Sequence, residues 1–348
     1  MSTEPLVDMS SGSDMSSGSS ASDAHRWSAA LPQSWDDYRA RYLVPTISFL
    51  AVVAVMIVGG LTTPGFISKT NLLNIVRIAA LTGIMGLGMT FITMSGSFFS
   101  LSSAQTSAMC SIAFAAMISG GWGWPLALLL TLAIAAFVGM LQGWIVALGA
   151  NPIVVTIAAS AAILGVPSII TDSRAVMIRT EEVHWMGRSK LLEIPIQTWT
   201  FVVLIIICQF ILVRTKFGRS LTLAGANRDA GKAAGLPIAR IEVLTFTIAS
   251  VAAGIAGIFV AAQTNRGLTT NLENTTLPVI AAVLVGGTAI QGGDGSMIRT
   301  AFGAMFIVAI DSLLVLRGYS PGARTLVGGL AVVVGVCLFW IARGGRKQ

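Results

Sequence analysis

The sequence predicts an all-α protein, a polytopic transmembrane helical bundle of about ten spans. Three observations carry that expectation. Hydrophobic residues make up 54% of the chain and charged residues only 11%, against roughly 25% charged in a soluble domain. The charges are also unevenly placed, because from Ile78 to Thr171 there is no Asp, Glu, Lys, Arg or His. One span needs roughly 20 apolar residues, so that stretch alone holds about four. Finally, turn residues divide the apolar runs, as expected of a chain that crosses lipid repeatedly.

In chain order, residues 1–41 are rich in Ser and Gly with scattered acids, which predicts a disordered tail. They lack a charged-then-apolar signal-peptide pattern, so targeting is expected from a first span within the uncharged stretch Tyr42–Ser68. The neutral block breaks at Ser95-Gly96-Ser97, at the run Gly120–Pro125 and at Gly149-Ala150-Asn151-Pro152. Those breaks predict spans over about residues 78–95, 98–119, 125–148 and 152–171. A polar stretch from Asp172 to Glu193 follows, then a span ending at Val213 and a basic loop from Arg214 to Arg240. Four more spans are expected over about residues 243–262, 275–292, 300–316 and 325–342. The expected domains are thus a tail at 1–41, a membrane domain at 42–342 and a short basic tail at 343–348. Gly83, Gly86, Gly88, Gly254 and Gly257 predict close helix approach, which replaces the hydrophobic effect as a packing device in lipid.

The formal net charge of +7 does not point to nucleic acid. The basic residues cluster at the ends of apolar segments, with no aromatic interleaving and no zinc or helix-turn-helix pattern. Their placement is topological, since Lys and Arg accumulate on the cytoplasmic side of spans. Arg39 and Arg41 precede the first span, the central loop carries Arg214, Lys216, Arg219, Arg228, Lys232 and Arg240 against Asp229, and the tail carries Arg343, Arg346 and Lys347. Ten spans put all three regions on one side, predicting a multi-pass inner-membrane protein with cytoplasmic termini. Lys69 and Arg77 then fall outside, as exceptions to the rule. Trp122, Trp124, Trp185 and Trp199 lie near predicted outer ends, as an interfacial belt requires. His184 is expected to be solvated in an outer loop. Cys110, Cys208 and Cys337 each sit inside an apolar segment, with spacing that fits neither a metal site nor a disulfide framework.

The basic loop is the informative element. Asn227 is a good helix N-cap, Asp229 falls in the first turn where negative charge is favoured, and Lys232 falls near the end. Gly235 suits a left-handed C-terminal position, with Pro237 two residues beyond. A two-turn helix over about 228–234 is expected, too short to be stable alone. Ala226, Ala230, Ala233 and Ala234 recur at spacings of four and three and give it a methyl-lined face. That face suits a cleft in another protein; an ordinary loop on the headgroups is the bland alternative.

The run Phe217–Pro237 (FGRSLTLAGANRDAGKAAGLP) resembles the coupling loop of permeases in ABC importers of the ribose-permease family, with its Phe-Gly-Arg start and Gly-x-Asn-x-x-Ala core. A second block, Ile280–Ser296 (IAAVLVGGTAIQGGDGS), is similar to the same family's glycine-rich block. A weaker third is Asn71–Gly96. The resemblance spans roughly residues 43–342. It implies ATPase coupling through Gly218, Arg219, Gly225, Asn227, Arg228, Ala230, Ala233, Ala234, Gly235, Leu236 and Pro237. It also implies a translocation pathway past Gly96, Phe98, Phe99, Ser100, Gln105, Thr288 and Asp311. The implied partners are an ABC ATPase dimer, a periplasmic solute-binding protein, a second permease copy or paralogue, and membrane lipid. No phosphate loop of the Gly-x-x-x-x-Gly-Lys-Ser/Thr kind occurs, because no Lys-Ser/Thr follows the glycines of 286–295. No cofactor is therefore expected on this chain, and ATP with Mg is expected on the partner.

Two departures from the family pattern bear on the solute. Phe98 replaces the family's Asp in Gly-Gly-Ile-Asp-Leu-Ser, and the acid shortly before Ile-Ala-Ala is missing around Thr276, Leu277 and Pro278. The solute is accordingly expected to be sugar-like but different from ribose, less hydroxyl-rich or differently shaped. Asp311, where the family tends to have Asn, reads either as a pathway group or as a polar tie between helices. Gln105 and Gln142 read chiefly as packing ties. The main rival function is an ion-coupled secondary transporter, which usually needs several intramembrane ionisable groups. An intramembrane enzyme would need a Ser-His, Asp-Asp or His-Glu-x-x-His arrangement, and no predicted span contains histidine. A purely structural scaffold would leave the short basic helix without a purpose.

Overall fold

The computed structural model describes residues 44–342; the predicted tails at 1–41 and 343–348 lie outside them. In order the chain forms α1 (Val44–Thr62), α2 (Lys69–Met94), α3 (Ser103–Ser119), α4 (Trp124–Ala147), α5 (Pro152–Ile170), α6 (His184–Arg188), α7 (Ile196–Arg214), α8 (Lys216–Ala226), α9 (Arg228–Ala233), α10 (Ile238–Thr264), α11 (Thr276–Val285), α12 (Met297–Leu316) and α13 (Pro321–Ala342). Two-residue antiparallel ladders join β1 (Val176–Met177) to β4 (Arg266–Gly267) and β2 (Lys190–Leu191) to β3 (Ile194–Pro195). Among the described residues, α2, α4, α5, α7, α10 and α12 are long and apolar enough to cross a membrane. Shorter apolar stretches occur at Ser48–Thr62, Thr276–Val285 and Pro321–Val333.

Helices α2 and α10 form the centre. Over its most apolar stretch α2 is 83% buried, whereas α5 and α7 are 17% buried and turn broad aliphatic faces outward, including Val154, Ile169, Ile206 and Phe210. Such exposed apolar faces are costly in water and ordinary in lipid. The central helix α10 packs along α2, α3 and α4, and α12 along α1, α2 and α11. Glycines make these approaches close. A side chain at Gly88 would press on the Ala249 backbone at 2.6 Å, and one at Gly257 would run into the Ser107 carbonyl. Gly83 faces Phe201, Gly86 faces Thr300 and Gly254 faces Ala135, so all five glycines singled out from sequence lie at helix contacts. Thr90 and Thr300 share a buried 2.7 Å hydrogen bond between α2 and α12.

The loops gather at two opposite ends. At one end Lys69 pairs with Glu193 at 2.6 Å, Arg317 Nε donates to Thr63 Oγ1 at 3.0 Å, and β1 pairs with β4. Trp124 and Trp185 meet there edge to face, with centroids 5.4 Å apart. At the other end, which we call the basic end, the 214–238 segment meets the glycine-rich 286–296 segment and the end of α2.

Several predicted boundaries shift, for one physical reason. A charge at the edge of an apolar run predicts the end of a span, yet Lys69, Arg77, Glu242, Arg299 and Arg324 all lie within helices, four of them ion-paired to another segment. Arg77 instead donates to Asn74 Oδ1 one turn back, at 2.7 Å. The span expected over 275–292 is helical only to Val285, because Gly287 takes φ +75° and reverses the chain. The span expected from residue 98 begins at Ser103, after a non-helical break in which Phe98 takes φ +58°. The basic loop also contains a helix that was not foreseen, α8. Its signals were present: Thr215 caps it by accepting from Gly218 N at 3.2 Å, and Phe217, Leu221 and Ala224 recur at i, i+4 and i+7.

Candidate coupling and translocation site

The short helix read from the loop is present as α9, Arg228–Ala233. Asn227 Oδ1 accepts from Ala230 N at 2.9 Å, Asp229 sits in the first turn and Lys232 in the last. The C-terminus closes with Gly235 N donating to Lys232 O at 3.0 Å and Leu236 N to Gly231 O at 3.0 Å, with Gly235 at φ +74°. These two hydrogen bonds around a left-handed glycine satisfy carbonyls that a six-residue helix would otherwise leave bare. Both ends are therefore fixed by local chemistry, which a helix this short requires.

Helix α9 is held to the bundle on one side only. Gly231 is buried against Ala224, Leu236 and Ile238, while Ala226, Ala230, Ala233 and Ala234 are exposed. Arg214, Lys216, Arg219, Lys232 and Arg240 are exposed around that methyl face. Among the described residues a single charged tie runs from α9 into the bundle, where Arg228 Nη1 lies 2.7 Å from Glu242 Oε1 on α10. The Glu242 side chain is 2% exposed and Arg228 44%. Glu242 escaped the sequence reading because it sits one residue before the predicted span.

Helix α8 anchors the assembly. Leu221 and Ala224 belong to the main core cluster with Met94, Ile241 and Met297, and Phe217 meets Phe91 at a centroid distance of 6.2 Å. Gly218 lies so close to the end of α7 that a side chain there would run into the Leu212 carbonyl. Beyond α8 three backbones converge. Gly293 N donates to Met94 O at 3.0 Å, and a Cβ on Gly225 would run into that same Met94 carbonyl. A Cβ on Gly292 would stand 2.9 Å from Gly96 Cα and 2.7 Å from Gly225 O. Gly225 and Gly96, assigned to different roles from sequence, thus meet at one junction, and the glycine-rich block is its third wall.

The remaining pathway candidates divide. Thr288 is buried at the same junction, its hydroxyl without a hydrogen-bond partner. Phe98 is exposed, Phe99 packs on the core, and buried Ser100 shares a 3.1 Å hydrogen bond with Ser102, which donates to Gln142 Oε1 at 2.8 Å. Gln142 is therefore a packing tie. Gln105 Oε1 is buried without a partner. Asp311 lies apart, near the far end of α12, where Arg324 of α13 donates to both carboxylate oxygens at 2.8 and 2.6 Å. His184, expected to be solvated, is half-buried at the start of α6. Cys110 is buried and Cys208 half-buried, both as free thiols.

The lipid-suited outer faces, the two sets of end loops and the capped external helix on a glycine junction define a membrane-embedded helical bundle. The chain belongs to the family described as branched-chain amino acid transport system / permease component, whose model matches residues 71–341, within a ribose-permease-like group. It is 34% identical to the Probable ABC transporter permease protein YphD of Escherichia coli (strain K12), over 83% of this chain and 88% of that protein. It is 29% identical to the ribose import permease protein RbsC of Bacillus subtilis (strain 168), over 83% and 91%. Against the L-arabinose transport system permease protein AraH of Escherichia coli (strain K12) the figure is 27%, over 91% and 94%. No solved structure matches the chain. The protein is a multi-pass inner-membrane transport permease of the ABC class.

Proposed function

We propose that this chain is the permease subunit of an ATP-driven, binding-protein-dependent importer that carries a sugar or sugar-like solute across the inner membrane. The observation that carries the reading is the exposed alanine face of α9, capped at both ends and fixed to the bundle on its other side. A rigid small-residue helix protruding from a basic end suits the cleft of an ATPase subunit. The named relatives, a ribose and an L-arabinose permease among them, supply the solute class.

On this reading the chain crosses the membrane ten times, both termini and α9 are cytoplasmic, and a periplasmic binding protein docks at the opposite end. The gathering of alternate loops at opposite ends supports that arrangement. ATP and Mg bind a separate ATPase dimer, and a second permease copy or paralogue completes the channel. Closure of the ATPases pushes α9, and the Met94–Gly225–Gly293 junction passes the displacement to α2 and the 286–296 segment. Rigid-body exchange of outward- and inward-facing arrangements follows. Gly96, the Phe98–Ser100 break, Gln105 and Thr288 line the solute's route. The ion-coupled alternative is weaker, because Asp311 and Glu242 are each committed to an arginine. The test is co-reconstitution with the cognate ATPase and binding protein. Ala233→Glu is expected to abolish ATP-driven uptake while membrane insertion persists; uptake that continues, or that collapses with the ion gradient while ATP is present, refutes the proposal.

A further inference from the structure

From Phe201 to Val213 the span α7 carries a single amide, Gln209, among aliphatic, aromatic and thiol side chains. A polar group in a span is costly unless a partner takes it, and Gln209 has a partner of an unusual kind. Its Oε1 accepts from Met297 N at 3.0 Å and from the Ser296 hydroxyl at 3.4 Å, so α7 caps the first turn of α12 from outside. Ser296 has the extended backbone of an N-cap residue, φ −152° and ψ 135°, but its own side chain makes no capping bond. An N-cap hydroxyl serves the amides two or three residues on, so the amide of Met297, whose side chain is fully buried, depends on Gln209.

The cap stands where two arms from the basic end meet. One arm is α7 itself, which ends at Arg214 shortly after Gln209 and hands over to α8 at Thr215. Because a side chain at Gly218 would run into the Leu212 carbonyl, α8 cannot shift without the end of α7. The other arm is the glycine-rich segment, held to Met94 O by Gly293 N. It enters α12 through Gly295, which lies against Met94 and Thr288. The first turn of α12 is joined in turn to α2 by the Thr90–Thr300 hydrogen bond.

We infer that Gln209 is a positioning residue for coupling: it locks the end of α7 to the start of α12, so that displacement of α8 and α9 moves α7, the 286–296 segment and Thr288 together. The inference rests on the transport reading above. Without the bond α7 still follows α8, but α12 is driven by the glycine arm alone and its first turn lags behind. Two substitutions separate the bond from the fold. Leu at this position suits lipid better than an amide does, so Gln209→Leu removes the acceptor without threatening insertion. Gln209→Glu keeps an acceptor oxygen, and its charge is favoured at a helix N-terminus.

The experiment is amide exchange, read by mass spectrometry, on the full chain with its cognate ATPase in nanodiscs, first without nucleotide and then trapped with ATP and vanadate. In the parent, trapping is expected to change exchange both at 228–233 and at 297–300. Gln209→Leu is expected to raise nucleotide-free exchange at 297–299 about tenfold, the loss of one buried hydrogen bond. It is also expected to abolish the trapped-state change there while keeping the one at 228–233. Gln209→Glu is expected to restore both. A bond that merely stabilises α12 gives the tenfold rise with the trapped-state change intact, and that result overturns the coupling role. So does a Gln209→Leu variant that exchanges like the parent, or a Gln209→Glu variant without the trapped-state change. In the parent, a response at 228–233 without one at 297–300 overturns this inference alone, whereas no response at 228–233 refutes the transport reading and this inference with it.

Discussion

Arg228→Ala removes the only charged tie between α9 and the bundle among the described residues and leaves Glu242 in place. The Glu242 side chain is 2% exposed, Arg228 lies 2.7 Å away, and neither carboxylate oxygen accepts a hydrogen bond from any other described group. Stranding one member of a fully buried pair costs roughly 3–5 kcal/mol. Arg228 is 44% exposed, so water already screens part of its field, and we expect about 2 kcal/mol. Because α9 is a six-residue helix, the cost appears as local opening. Amide exchange across 228–233 is expected to accelerate about thirtyfold, with the α2 and α10 amides unchanged. Adding Glu242→Gln to Arg228→Ala removes the stranded charge and is expected to recover most of that loss, as a double-mutant cycle measures. Unchanged exchange in Arg228→Ala, or a double variant no better than the single one, refutes the reasoning that this pair secures the lever.

Gly225→Ala drives a methyl group into the Met94 carbonyl and is expected to cost about 2–3 kcal/mol. Gly235→Ala, with open space around a residue at φ +74°, is expected to cost about 1–2 kcal/mol; dye reactivity of buried Cys110 during thermal unfolding compares them. If Asp311 braces α12 against α13, Asp311→Asn and Arg324→Gln shift stability alike and leave uptake of a saturating solute intact. Loss of uptake in Asp311→Asn alone marks it as a solute contact. The Lys69 ammonium, hydrogen-bonded to Glu193, holds that carboxyl below its ordinary value of 4.5. A lowered carboxylate stabilises the fold above its unfolded value, and that contribution is lost as pH falls through the lowered one. Carboxyl NMR titration is expected to show Glu193 returning toward 4.5 in Lys69→Gln.

The class of the molecule is legible in its residues alone, because solvent preference is a property of composition along the chain. A stretch without charge from Ile78 to Thr171 has no stable arrangement in water. Helix α9 is legible too, since a short helix is specified by its caps, and Asn227, Gly235 and Pro237 are local signals. The small residues that let helices touch were legible for the same reason, as a missing side chain is visible without knowing its neighbour. Which partners those glycines meet is set by the packing of the folded chain. Gly96, Gly225 and Gly293 are far apart in the chain, and their convergence depends on how α2, α8 and the 286–296 segment return to one place. The same packing lets Glu242, Arg299 and Arg324 remain helical. A charge within a span is tolerable when another segment brings a counter-charge, and that counter-charge is invisible to a reading of hydropathy in a window.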